Sequence, residues 1–136
     1  MKGTEKQIAW AKDIIARDME TVKHYVENGY KNTPWGDDPR INHEEDRRIM
    51  HIAEMAGFDG NDDSAEAAIE GYAGFTTVRA MNLPKEEKKA VFKKCDELYR
   101  DYVIKLVTEY LSRDDLDAAT IIENRKGMSL LGLPRC

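Results

Sequence analysis

The chain is poor in the residues that staple, punctuate or anchor a fold. In 136 residues it has two cysteines, four prolines, and an aromatic share of 8%. Two cysteines exclude a disulfide framework, which in a small secreted domain would use four or more. No apolar run approaches the roughly 20 residues of a membrane-spanning helix. Met1-Lys2-Gly3-Thr4-Glu5 carries no apolar signal core, so a reducing cytoplasm is the expected compartment. There is no glycine repeat of the collagen kind, no internal repeat and no low-complexity tract. Positive charge is also in deficit: 21 Lys and Arg face 26 Asp and Glu, a net of −5. That balance excludes a basic protein that coats nucleic acid. Motifs that bring chemistry are missing as well. The chain has no His-Glu-x-x-His, no Cys-x-x-Cys and no repeated Glu-x-x-His, so neither a closed zinc site nor a paired-helix metal site is indicated.

What is present is helical periodicity and an uneven charge map. Charged residues make up 35% of the chain, against about 25% in an average globular protein. Residues 1–32 carry a net of +1, residues 33–83 a net of −7 from 11 acidic and 4 basic side chains, and residues 84–136 a net of +1. The middle third therefore holds the whole excess.

Thr4 with Gln7 is a capping box. After it Ile8, Ala11, Ile15, Met19, Val22 and Val26 recur at three or four residues, flanked by Trp10, Ile14 and Tyr25. This spacing predicts an amphipathic helix over about 4–28. Residues 31–41 hold two prolines and a glycine and read as a loop. Asn42 with Glu45 opens a short helix through Ile49, Ile52, Ala53 and Ala56, stopped by Gly57. Ala65, Ala68, Ile69 and Tyr72 suggest another short helix, and residues 74–83 are ambiguous. Pro84 suits a first helical position. Val91, Cys95, Leu98, Tyr102, Leu106 and Tyr110 then keep helical spacing, joined by Phe92, Tyr99, Val103, Val107 and Leu111, which predicts a second long helix over about 84–112. Asp114 or Asp115 is expected to cap a last helix built on Leu116, Ala119 and Ile122, with Ile121 as a further candidate, and closed by Gly127. Residues 128–136 form a flexible or docked tail. The expectation is one all-α domain over 1–136, a helical bundle of two long helices and about three short ones. Cys95 is expected to be a small buried apolar group, and Cys136 free and exposed.

Several constellations compete as functional sites. Asp59, Asn61 and Asp63 stand at positions 1, 3 and 5 of a loop whose position 12 is Glu70, the oxygen-ligand spacing of a calcium loop. Ser64 replaces the glycine such a loop needs at position 6, and helix capping explains the same acids. His51 and Glu54, three apart on one helix, could ligate a metal or hold a proton, but no second helix supplies partners. The acidic pairs Glu66 with Glu70 and Glu97 with Asp101 are four apart, not the three of helical magnesium sites, and Asp63 with Glu66, three apart, sit at a helix start where acids are expected anyway. Lys85, Lys88, Lys89, Lys93 and Lys94 could meet phosphates, though Glu86, Glu87, Asp96 and Glu97 dilute the field. The acidic middle could face a basic groove of a partner, with Trp35, in its proline-stiffened loop, as an anchor.

The segment Thr4-Glu5-Lys6-Gln7-Ile8-Ala9-Trp10-Ala11 resembles the opening helix of small proteins encoded by phages and mobile elements of Firmicutes. That resemblance implies a mobile-element origin and, by extension, an inhibitor of host machinery such as an anti-CRISPR protein. It carries no assigned site residues. Together the readings point to a non-enzymatic binding protein with no cofactor, directed at a host or defence-system protein such as a nucleic-acid-handling complex. Its expected contacts are Trp35, Asp37, Asp38, Glu44, Glu45, Asp59, Asp62 and Asp63. A calcium-binding protein using Asp59, Asn61, Asp63 and Glu70, and a nucleic-acid module using the lysine helix, are the alternatives. Direct nucleic-acid binding is not expected on the overall charge, and a homodimer is open.

Overall fold

The capping box forms as its spacing requires. In the computed structural model the Thr4 hydroxyl accepts from the Gln7 amide at 3.2 Å, and the Gln7 side chain accepts from the Thr4 amide at 3.0 Å. It opens helix α1, Glu5–Tyr25. The structure describes residues 1–27, 43–58, 82 and 84–130, and the side chains of residues 89 and 91–96 lie outside that description. Helix α2 spans His43–Met55, α3 Lys85–Leu111 and α4 Ala118–Glu123. Among the described residues there is no strand, and the fold is an all-α bundle. The short helix expected near 65–72 lies outside the described residues, as does the tail beyond 130.

Helix α2 ends where Gly57 stands because the chain reverses there in the left-handed region, at φ +104°. That conformation costs a glycine little. The Gly57 amide donates to Glu54 O and the Phe58 amide to Ala53 O, each at 3.0 Å. These two bonds close a Schellman motif and satisfy carbonyls that would otherwise be orphaned. Phe58 turns back into the core, 5% exposed.

Helix α1 packs against α4, α2 and α3, and α2 packs against α3. The core gathers Ala11, Ile14, Val22 and Tyr25 of α1, Ile49, Met50, Ile52 and Ala53 of α2, and Tyr99, Val103, Val107, Tyr110 and Leu111 of α3. Leu116, Ala118 and Ile121 complete it. The N-terminus is tied in as well. Lys2 bridges Asp117 in a parallel sense, its amide donating to Leu116 O at 2.9 Å and its carbonyl accepting from Ala118 at 2.8 Å.

Two expectations shift. The deep stripe of α1 is Ala11, Ile14, Asp18, Val22 and Tyr25, while Met19 and Trp10 are exposed and Ile8, Ile15 and Val26 only flank the core. The stripe is rotated because a buried aspartate occupies its centre, which a purely apolar pattern cannot register. Helix α3 behaves likewise: Tyr99, Val103 and Val107 lie deepest, with Tyr102 and Leu106 at the margin. The cap of α4 is Asp117, which accepts from the Ala119 amide at 3.0 Å, and not Asp114 or Asp115. Asp115 is engaged by Arg113 instead, and Leu116 is buried just before the helix starts.

Candidate binding cleft

Two polar relays hold the helices in place. The first centres on Arg48. Its Nε donates to Asp18 Oδ1 at 3.0 Å and its Nη2 to Asp18 Oδ2 at 2.8 Å, a two-point pairing of the kind a guanidinium makes with a carboxylate. Its Nη1 donates to the carbonyls of Asn124 and Gly127 at 2.6 and 2.9 Å. One buried cation therefore joins α1, α2 and the turn after α4. The same turn is held by His51 Nε2 against Asn124 Oδ1 at 3.2 Å. It is held again by Ser129, whose amide donates to Arg47 O and whose hydroxyl donates to Glu54. The second relay runs from Arg100, 1% exposed, to the Tyr25 hydroxyl, which donates in turn to Asp46 Oδ1 at 3.1 Å.

Above the Arg48 hub lies a cleft of about 330 Å³ lined by Trp10, Ile14, Arg17, Asp18, Arg125 and Lys126. Trp10 is 48% exposed, and the Arg125 guanidinium sits 4.8 Å from the centre of its ring. This cation–π contact and a bond from Arg125 Nη1 to Ile122 O at 2.7 Å preposition the guanidinium at the rim. Arg17 and Lys126 are both exposed. Among the described residues, none of the three cations has a carboxylate within 4 Å. Asp18, the one acid lining the cleft, is already neutralised by Arg48. The cleft thus presents an apolar floor, an aromatic wall and three cations with no carboxylate within 4 Å among the described residues.

The residues singled out from the sequence lie elsewhere. Trp35, Asp37, Asp38, Asp59, Asp62 and Asp63 fall outside the described residues, as do Asn61 and Glu70 of the calcium spacing and Glu66 of the acidic pair. Glu44 is exposed in the first turn of α2. Glu45 is half-buried and meets His24 Nδ1 at 2.6 Å, and Asp46 accepts from Tyr25. His51 and Glu54 do not act as a pair, since His51 faces Asn124 and Glu54 accepts from Ser129. Among the described residues no three His, Cys, Asp or Glu side chains come together to hold a metal, and no helix is long and apolar enough to cross a membrane. Of the α3 lysines, Lys85 is exposed and Lys88 half-buried. The side chains of Lys89, Lys93 and Lys94 are not described, nor that of Cys95, and Cys136 is likewise outside the described residues. On the same helix the exposed Asp101 has its carboxyl pushed above the usual aspartate value by partial burial.

Sequence reasoning missed the Trp10 cleft. It placed Trp10 on the flank of an apolar stripe and gave no role to Arg17, Arg125 or Lys126. The available signal was an indole in the first half of α1 with a cation two turns on, Trp10 to Arg17. The other two cations join it only through docking of the turn at 124–127. Comparison with protein-family models, with curated proteins and with solved structures finds no match.

Proposed function

We propose that this chain is a protein-binding module that acts without chemistry of its own and inhibits or modulates a partner in a bacterial cell. The partner is a host or defence-system protein, with a nucleic-acid-handling complex the first candidate. One observation carries the reading: a net of −7 is concentrated in residues 33–83 of a chain whose total is −5. In the described part of that segment Glu44 is exposed at the entry to α2, while Glu45 meets His24 and Asp46 accepts from Tyr25. Complementary potentials give a binder of this kind fast association and discrimination between partners. The resemblance of the Thr4–Ala11 segment to phage and mobile-element proteins points the same way and suggests an anti-defence role.

The test is reversal of Asp37, Asp38, Glu44 and Glu45 to Lys. Proteins retained from a bacterial lysate by the tagged wild-type chain are identified by mass spectrometry, then challenged with the reversed variant. Loss of the retained partner with helicity preserved supports the acidic surface. Retention at wild-type level refutes it.

A further inference from the structure

We propose that the Trp10 cleft is a second docking site, one that takes a short acidic segment of a partner protein carrying an apolar anchor side chain. The inference rests on the protein-binding reading above but not on the acidic surface.

The charge argument is direct. Arg17, Arg125 and Lys126 converge on one cleft without carboxylate partners among the described residues, on a chain that is acidic overall. Arg17 has Asp13 four residues before it and Glu20 three after it on α1, yet neither carboxylate comes within 4 Å of its guanidinium. A guanidinium offers a planar fork matched to carboxylate. Arg125 is held in place by the indole and by Ile122 O, so little side-chain entropy remains to be lost when it binds.

The apolar argument is independent of charge. Trp10 stays half exposed although it sits one turn from the buried Ile14, and both line the cleft. An indole of this exposure beside arginines has the make-up of an interface hot spot. A volume of about 330 Å³ is at the small end of ligand pockets and accepts one or two side chains. A leucine or phenylalanine on Trp10 and Ile14 fills it, with flanking carboxylates held at the rim by Arg17, Arg125 and Lys126.

A nucleic-acid strand fits less well. Its phosphates run on past three cations into the field of a protein with net charge −5, so counterion release would be small and repulsion would follow. The site also lies away from the acidic entry to α2. Trp10 and His24, which meets Glu45, are fourteen residues apart on α1, about 21 Å along a helix rising 1.5 Å per residue. The two faces can therefore engage different regions of one partner or two separate partners.

The experiment uses the full chain and a fluorescently labelled peptide in which Asp and Glu flank a central Leu. Binding is read by anisotropy, and the contact is located by the Trp10 indole N–H signal in NMR with Trp35→Phe as background. The proposal expects a Kd below about 1 mM, weakened by salt, and a Trp10 shift on titration. Arg17→Glu with Lys126→Glu, both at exposed positions, should weaken binding at least about tenfold with unchanged circular dichroism, as should Leu→Ser in the peptide. It is overturned by no binding at millimolar peptide, equal binding by the Gln-for-Glu and Asn-for-Asp peptide, equal binding by the reversed variant, or tighter binding of an oligo-dT strand than of the peptide. Self-association of the wild-type chain abolished by the same reversal also overturns it, in favour of a second copy as occupant. The Asp37, Asp38, Glu44 and Glu45 reversal leaves the cleft residues intact. Peptide binding retained in that variant while lysate capture is lost or kept separates the failure of either proposal from that of the other.

Discussion

Replacing Arg48 by methionine should be the most damaging single change in the described fold. Methionine keeps much of the aliphatic stem but deletes every donor. The guanidinium makes four hydrogen bonds, two to Asp18 and two to the carbonyls of Asn124 and Gly127. The side chains of Arg48 and Asp18 are 10% and 11% exposed, so the aspartate left behind cannot recover full hydration. Removing one member of a buried ion pair costs about 3–5 kcal/mol. The two carbonyls are only part-buried and can recruit water, so they add little, and about 4 kcal/mol is a fair total. For 136 residues the unfolding entropy is about 0.29 kcal/mol/K near 60 °C, which converts that loss to a fall in Tm of about 14 °C. Differential scanning calorimetry and urea unfolding measure it. Hydrogen exchange adds a local readout, because the Ser129 amide, bonded to Arg47 O, should lose protection beyond the global effect as the turn undocks. The double variant Asp18→Leu with Arg48→Met removes the stranded charge and should recover most of the loss. A cost under about 1 kcal/mol for Arg48→Met, or a double variant no better than the single, would show that the pair does not hold the helices together.

Two further outcomes follow from the geometry. A Cβ at position 127 would lie 2.3 Å from His51 Nε2, so Gly127→Ala must expel the imidazole from Asn124. It should cost about 1–3 kcal/mol by urea unfolding, and the cost should largely vanish in a His51→Ala background; equal cost in both would place the strain elsewhere. The exposed Asp115 is held below the usual aspartate value, chiefly by the hydrogen bonds from Arg113. A depressed carboxyl contributes stability that is present above the unfolded value of 3.8 and is lost as pH falls through the folded one. In a carboxyl-carbon NMR titration Asp115 should titrate at lower pH than in Arg113→Ala, and coincident curves would contradict the assignment.

Much of the scaffold was legible because it depends on local rules. The Thr4–Gln7 box, the Gly57 stop and the two long helices each rest on interactions within a few residues, and all of them form. The differences have a common origin. Asp18, Arg48 and Arg100 are charged and so fall outside any apolar pattern, yet all three are buried, and the core stripes rotate to include them. Such burial is tolerable only when a partner arrives from another helix. For Asp18 that partner is 30 residues away, and for Arg100 and Tyr25 the separation is 75. The mistaken cap of α4 is smaller in kind: three aspartates at 114, 115 and 117 compete within one turn, and the Lys2 bridge to Asp117 decides between them.

From the amino-acid order alone came the helical class, the approximate ends of both long helices and the placement of negative charge in residues 33–83, since periodicity, caps and composition are properties of neighbours. The tertiary structure decided which side of each helix is deep and which cations share a surface. Arg17 and Lys126 are 109 positions apart and carry no mutual signal in the chain. They line one cleft beside Trp10 because Arg48 satisfies the Asp18 carboxylate and the carbonyls of Asn124 and Gly127 with a single guanidinium, and so seats the closing turn against α1.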